Sequence, residues 1–399
     1  MAVGIIAEYN PFHAGHAYQI AQIKKVIGAE VVAVMSGSFT QRGEPAILDK
    51  WTRARLAIMG GVDLVLELPF VSAVRSAQGF ARGGVRLLES LGVIDTLAFG
   101  AELADLSTLK RAAEAFAEES FAEELRRLMS QGTSYAAAVT KILSAVTRLD
   151  EGLIRQSNTI LAIEYLRALP EKISPLIIER VGAAYDDLTL RERFSSASAI
   201  RAAVRQPSQP WDKIAAQVSA ETLDALRTAE PVDEKFLFRP IIAKLLTARV
   251  DELRKVYGMT EGLEFRLLNA ASAKNFCELV TALIGRRYTA SRIRRLLLYF
   301  LLNVTTETLA ELDATTCARV LAFNERGRAL LRRITAPVVT KLTKHLNRRD
   351  LYERRRPLEP YQKILLLDVL ATNLRGLLFQ TPRPMHEDFA TPPTFIRFT

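Results

Sequence analysis

The sequence predicts an α/β domain built on a mainly parallel sheet, followed by an all-α basic domain. Three observations lead there. Short β-branched runs alternate with helical stretches over about the first 200 residues, and such alternation builds a parallel sheet with helices on both faces. After about Val204 the strand runs cease and a helical period takes over. The charge divides in the same way: residues 1–200 carry 21 Lys and Arg against 23 Asp and Glu, and residues 201–399 carry 33 against 21. The net +10 of this 399-residue chain therefore belongs to its second half, as expected when chemistry sits in front and polyanion binding behind.

Taken in order, Ala2-Val3-Gly4-Ile5-Ile6-Ala7, Val31-Val32-Ala33-Val34-Met35 and Leu64-Val65-Leu66-Glu67-Leu68 are near-continuous apolar runs, the pattern of strands covered on both faces. Shorter runs at 96–99 and 176–179 complete five expected strands. Helical period marks 16–26, 50–59 and 80–91 between them. Residues from about Asp105 to Arg148 break the alternation, being almost all helix formers of mixed charge, and read as a helical insertion over about 105–150. The turn-rich Gln206-Pro207-Ser208-Gln209-Pro210 divides a domain at 1–205 from an all-α domain at 206–380, and the proline-rich 381–399 reads as an extended tail.

Composition excludes several classes. A hydrophobic fraction of 49% and a charged fraction of 25% are globular values, not those of a disordered or fibrous chain. No run approaches 18 apolar residues, and Glu8, Asn10 and His13 interrupt what would be the apolar core of a secretory signal. A cytoplasmic protein with no membrane partner is expected. Cys277 and Cys317 lie in helix-like sequence without metal-ligand spacing and are expected to be buried free thiols.

Two of the four histidines share one turn. Gly4-Ile5-Ile6-Ala7-Glu8-Tyr9-Asn10-Pro11-Phe12-His13-Ala14-Gly15-His16 runs from a buried strand through an Asn-Pro turn into a helix. His13 and His16 thus fall at the carboxyl end of the first strand, where open α/β sheets bind ligands, and at a helix N-terminus, where unpaired N–H groups favour phosphate. Gly15 removes a side chain that would keep a base or ribose off the turn.

Asn10-Pro11-Phe12-His13-Ala14-Gly15-His16 resembles the signature of the HxGH nucleotidyltransferase superfamily, whose members attack the α-phosphorus of ATP or CTP and release pyrophosphate. The longer run from Gly4 is taken together with Met35-Ser36-Gly37-Ser38-Phe39-Thr40-Gln41-Arg42-Gly43-Glu44-Pro45-Ala46, Gly61-Val62-Asp63-Leu64-Val65-Leu66-Glu67-Leu68-Pro69, Phe99-Gly100-Ala101-Glu102, Ser157-Asn158-Thr159-Ile160-Leu161 and Glu179-Arg180-Val181-Gly182. As a set these are similar, over most of the chain, to the bacterial tRNA(Met) cytidine acetate ligases.

That resemblance implies a Rossmann-like catalytic domain in which His13 and His16 are catalytic, donating to the phosphates. It implies an ATP site made of Ala7, Glu8, Tyr9, Asn10, Pro11, Phe12, His13, Ala14, Gly15, His16, Ala17, Tyr18, Gln19 and Ile20, with Gly100, Asn158 and Arg180. Ser195-Ser196-Ala197-Ser198-Ala199-Ile200-Arg201 resembles the second superfamily motif, with Ser196, Ser198 and Arg201 toward the terminal phosphates and Ala197 where a second serine is usual. Read singly, Gly100 also fits a strand-end turn and Asn158 a helix N-cap. Gln41 and Arg42 are assigned to a substrate loop.

The implied reaction is ATP-dependent: acetate becomes acetyl-adenylate, and the acetyl group passes to the wobble cytidine of elongator tRNA(Met) as N4-acetylcytidine. ATP is then a substrate, acetate and tRNA are partners, and Mg2+ is a candidate companion whose ligands the sequence leaves unnamed. The basic half is the implied tRNA platform, through Arg286, Arg287, Tyr288, Arg292, Arg294 and Arg295, and through Lys341, Lys344, Arg348 and Arg349 beside Arg354-Arg355-Arg356. Two other readings stay open: a nucleotidyltransferase that adenylylates a small phosphate-bearing metabolite, and a non-catalytic RNA-binding protein.

Overall fold

The computed structural model describes residues 2–179, 189–190, 194–260, 262–285, 287–353 and 357–398. Its strands are β1 (Ala2–Ala7), β2 (Glu30–Ser36), β3 (Leu64–Leu68), β4 (Ile94–Ala101), β5 (Ser174–Glu179), β6 (Ala318–Phe323), β7 (Val338–Val339) and β8 (Thr394–Phe395). They form one sheet in the order β5-β4-β1-β2-β3-β6-β7, with β8 also beside β6. The first five are mutually parallel, and β6 runs antiparallel to β3. The five strands expected from sequence are all present.

Alternation within these strands divides the front core between two faces. Val32 and Val34 of β2 join Leu64 and Leu66 of β3 on one side, while Val31, Ala33 and Met35 point to the other with Val3 and Ile5 of β1. Both faces are covered by helices, including α1 (Ala14–Ile27), α2 (Lys50–Met59), α3 (Ala77–Ser90), α4 (Ser157–Ala168) and α5 (Ala197–Val204). Short polar side chains fix where these begin. The Asp49 carboxylate accepts from Thr52 N at 2.8 Å ahead of α2, and Ser76 Oγ accepts from Gly79 N at 3.3 Å ahead of α3. Between β4 and β5 the chain forms helices at Leu106–Ala115, Glu119–Ser130 and Tyr135–Thr147, ahead of α4.

A third core binds the helical half to the front. Leu296, Leu297 and Phe300 of α6 (Ala290–Leu301) and Ile364 and Leu365 of α7 (Pro360–Gly376) pack in one cluster with Phe39, Phe70, Val71 and Val74. Those four residues follow β2 and β3, so the helical half sits over the carboxyl ends of the strands.

The second half departs from the all-α expectation at β6 and at the two-residue β7 beside it, and the tail departs with them. Residues 318–323 return to the sheet as β6, and Thr394–Phe395 of the tail pairs with it. The run Ala318-Arg319-Val320-Leu321-Ala322-Phe323 is too short for period alone to separate strand from helix, and an arginine is in general more often exposed than buried. Arg319 is instead buried, donating to Asp388 Oδ1 at 2.5 Å and lying 3.2 Å from Glu67 Oε2. Lys50 closes the network at 2.8 Å from Glu67 and 2.6 Å from Asp388. The cysteines are free as expected, but only Cys317 is buried; Cys277 is exposed. No described helix is long and apolar enough to cross a membrane.

Candidate active site

Between β1 and β4 the direction of the chain's progress across the sheet reverses, because β2 and β3 lie on one side of β1 and β4 and β5 on the other. Such a reversal leaves a crevice beyond the strand carboxyl ends. A cavity of about 470 Å³ occupies it, bordered by the end of β1, by Phe99 and Gly100 of β4 and by Ile178 and Glu179 of β5.

The paired histidines are held by the start of α1 itself. His13 is the N-cap, and its Nδ1 accepts from Gly15 N at 3.0 Å; His16 Nδ1 accepts from His13 N at 3.3 Å. This reciprocal capping satisfies two N–H groups that a helix start leaves without partners. It also fixes the tautomer. With each Nδ1 accepting, the proton of a neutral ring sits on Nε2, leaving that atom as the donor. The rings stack with centroids 3.8 Å apart, and Tyr9 meets His16 edge-on at 4.9 Å. Both imidazoles line the cavity.

Gly15 is required for a reason the sequence did not show. A Cβ there would lie 2.9 Å from His13 Cε1, so the close neighbour is the stacked ring and not a ligand. Gly15→Ala is expected to push the His13 ring aside and to lower the protein's activity by about 100-fold, the cost typical of a group displaced by about 1 Å. An unchanged rate would refute this.

Within residues 7–20, the wall is formed by Ala7, Glu8, Tyr9, Asn10, His13, Gly15, His16, Tyr18 and Gln19. Pro11, Phe12, Ala14, Ala17 and Ile20 do not border the cavity; Phe12 and Ile20 are buried in the core behind it. Tyr9 holds a left-handed φ of 46°, a conformation that non-glycine residues keep mainly where function demands it. Two buried polar atoms of this wall, Tyr9 Oη and Asn10 Nδ2, make no hydrogen bond. Orphaned groups of this kind at a cavity mark the place of a polar ligand.

Gly100 lies within β4 rather than after it, and it lines the cavity. Asn158 is in the first turn of α4, not at its cap, and donates to Glu102 Oε1 at 2.6 Å from the cavity wall. Ser196 caps α5, accepting from Ala199 N at 3.0 Å, and borders the cavity with Ser195 and Ala197. Ser198 and Arg201 are turned elsewhere. Arg201 Nη1 donates to Asn10 O at 2.8 Å and Nη2 to Ser198 Oγ at 3.2 Å, so the pair braces the first turn instead of facing phosphate. Arg180 lies outside the described residues.

The loop that carries Gln41 and Arg42 closes the cavity from the side. Gln41 N donates to Glu8 Oε1 at 2.7 Å, Gln41 Nε2 to Arg75 O at 2.7 Å, and Arg42 Nη2 to Ser157 Oγ at 2.9 Å. Gly43, with φ of 78°, lets this loop touch α6: a Cβ there would stand 2.9 Å from Arg295 N. Arg295 in turn donates to Gln41 O at 3.3 Å. Burial raises the Glu8 carboxyl above the usual range, against the lowering pull of Gln41 N, Arg201 and Arg53. Burial also lowers Arg53 to about 10; it donates to Glu8 O at 2.6 Å and to Gly37 O, clamping the ends of β1 and β2.

Sequence reasoning missed Arg53, Tyr165, Thr289 and Ser291, the last three of which line the cavity. Thr289 is legible as a helix cap, since its side chain accepts from Arg292 N at 3.4 Å. Nothing local reveals that this cap lies beside the first strand. Among the described residues no group of three or more His, Cys, Asp or Glu side chains is arranged to hold a metal.

The basic residues divide. Arg287 is exposed, and Arg292 stacks over Tyr288 at 4.8 Å, with Arg266 at 5.7 Å from the same ring. Lys341, Lys344, Arg348 and Arg349 are all exposed. Arg294 is taken up by a two-pronged pair with Glu234 at 2.8 Å, and Arg295 by the Gln41 carbonyl, so these two are corrected from the expected RNA face to the fold. Arg286 and Arg354-Arg355-Arg356 lie outside the described residues.

A parallel sheet with stacked histidines capping its first helix, over a cavity at the strand-order reversal, defines an α/β nucleotidyltransferase. Residues 1–388 match the HIGH Nucleotidyl Transferase family. The chain is 35% identical to a tRNA(Met) cytidine acetate ligase of Thermoanaerobacter sp. (strain X514), with 98% of each chain covered. It is 40% identical to one of Caldanaerobacter subterraneus subsp. tengcongensis, with 86% and 89% covered. Among solved structures it is similar to Thermotoga maritima TmcAL in its apo form, with a TM-score of 0.89 and 31% identity, and bound with alpha-thio ATP, with 0.86 and 30%; each covers 100% of both chains. The chain belongs to the tRNA(Met) cytidine acetate ligase family.

Proposed function

We propose that this protein ligates acetate to the wobble cytidine of elongator tRNA(Met), consuming ATP and forming N4-acetylcytidine, AMP and pyrophosphate. The observation that carries the reading is the stacked His13–His16 pair, whose capping bonds leave Nε2 donors on a cavity wall. In-line attack on an α-phosphoryl group needs positioning and charge stabilisation more than covalent help, and donors at a helix N-terminus supply both. Acetate attacks the α-phosphorus, pyrophosphate leaves, and the mixed anhydride remains in the cavity. An unpaired anticodon base then enters without any duplex being opened. The unpartnered Asn10 Nδ2 and Tyr9 Oη suit a nucleotide's polar edge. A magnesium ion accompanying ATP would be held chiefly by phosphate oxygens, since among the described residues the cavity wall offers only the isolated carboxylates Glu8 and Glu179.

The test is mass spectrometry of nucleosides from tRNA incubated with the protein, ATP and isotopically labelled acetate. Labelled N4-acetylcytidine is expected. Its absence, together with pyrophosphate release driven by a phosphorylated metabolite, would favour a metabolite adenylyltransferase instead.

The exposed cations carry a second expectation. Replacing Lys344 and Arg348 with Gln is expected to weaken tRNA binding and to make the fall of log K with log salt shallower, by about 0.7 to 0.9 for each phosphate that is no longer neutralised. An unchanged slope would remove this cluster from the RNA face.

A further inference from the structure

On the acetate-ligase reading two chemical steps share the cavity, and donors to phosphate answer the first. Acetyl transfer needs something different, because a cytidine N4 lone pair is delocalised into the ring and the nitrogen must shed a proton as its bond to the acetyl carbon forms. Among the described residues the cavity wall carries two carboxylates, Glu8 and Glu179, and Glu8 is the one anchored to the Gln41–Arg42 loop. Glu8 follows the last residue of β1, five positions ahead of His13; it lines the cavity with both histidines and is bonded to the Gln41–Arg42 loop. That loop is the part of the wall in contact with the basic helix α6, through Gly43 and Arg295. A base presented from the helical half therefore meets the Glu8 side of the cavity, with the phosphates beyond.

Glu8 is also held still. Its Oε1 accepts from Gln41 N at 2.7 Å, and its own carbonyl accepts from Arg53 Nη1 at 2.6 Å. A fixed carboxylate with one oxygen anchored can direct the other, Oε2, at a substrate proton.

We infer that Glu8 is the general base of acetyl transfer, an assignment that rests on the acetate-ligase reading above. As N4 attacks the acetyl carbonyl, the C–N bond forms and the bond from that carbon to the AMP phosphate oxygen breaks. AMP departs with the electron pair, one N4 proton passes to Glu8 Oε2, and the amide retains the other. The proton then leaves to solvent through the cavity mouth.

The surroundings fit a base that must let go of its proton between turnovers. Burial lifts its proton affinity; Gln41 N, Arg201 on α5 and Arg53 on α2 draw it down, and Glu44 of the loop raises it.

Glu8→Gln tests the assignment because it keeps shape and the Oε1 acceptor for Gln41 N but cannot take a proton. Acetate-dependent ATP–pyrophosphate exchange and single-turnover transfer from preformed acetyl-adenylate to tRNA are measured side by side. Transfer is expected to fall about 100- to 10,000-fold further than exchange does. The wild-type transfer rate is expected to rise with pH along an acid limb that the variant lacks, and Glu8→Asp, with a shorter base, to recover part of the rate. Equal losses in the two half-reactions would make Glu8 a brace for the loop and overturn the assignment, as would a variant that transfers normally. Absence of exchange in the wild type would instead remove the acetate reading, and this one with it.

Discussion

Replacing His16 by alanine is expected to lower acetate-dependent ATP–pyrophosphate exchange by about 100- to 1,000-fold. That is the usual consequence of removing one preorganised donor from a developing oxyanion, about 2.7–4 kcal/mol of barrier. His13 is expected to show the same loss. Either substitution also removes a capping acceptor, because His13 Nδ1 takes Gly15 N and His16 Nδ1 takes His13 N, and losing a cap costs about 1 kcal/mol. Asparagine separates the two effects, because its side-chain oxygen can accept from Gly15 N while nothing replaces the Nε2 donor. His13→Asn should therefore melt close to the wild type yet exchange as poorly as His13→Ala. A loss below tenfold in both variants would mean that the phosphates are held by other groups.

The second large effect is on stability. Arg319→Met is expected to destabilise the fold by about 3–5 kcal/mol, because it leaves two buried carboxylates, Glu67 and Asp388, to share the single cation of Lys50. Denaturant unfolding with unchanged slope and a lowered midpoint would report it; a shift under about 1 kcal/mol would show that Lys50 alone suffices. The same cluster sets an acid limit. Burial opposes ionisation of Asp388, but Lys50 and Arg319 outweigh it and hold the carboxyl below its ordinary value, at about 2. A carboxyl depressed in the folded state stabilises at higher pH, so this contribution is lost as pH falls from about 4 towards 2.

How much could be read in advance follows the range of the physics involved. The five parallel strands and α1 to α3 were legible because burial on both faces writes itself as continuous apolar runs, and helices keep a period of about 3.6. The histidine turn was legible because capping is local: His13, Gly15 and His16 meet within one helical turn. Arg201 was misjudged because what decides its direction is Asn10 O, 191 positions away. Arg294 looked like a phosphate ligand for the same reason, its partner Glu234 lying 60 positions upstream. The β6 strand escaped because six residues are too few to display a period, and its buried arginine is tolerable only beside carboxylates from β3 and the tail.

Pairing of β3 with β6 also has a bearing on how the chain is made. A ribosome delivers Leu68 about 250 residues before Ala318, so at typical elongation rates the β3 edge waits on the order of 10 to 50 seconds for its neighbour. A nascent polypeptide halted in that interval exposes an unpaired, largely apolar border to other chains. Truncated products ending before residue 318 should accordingly precipitate or recruit chaperones, while the finished chain, sealed by its own closing segment, does neither.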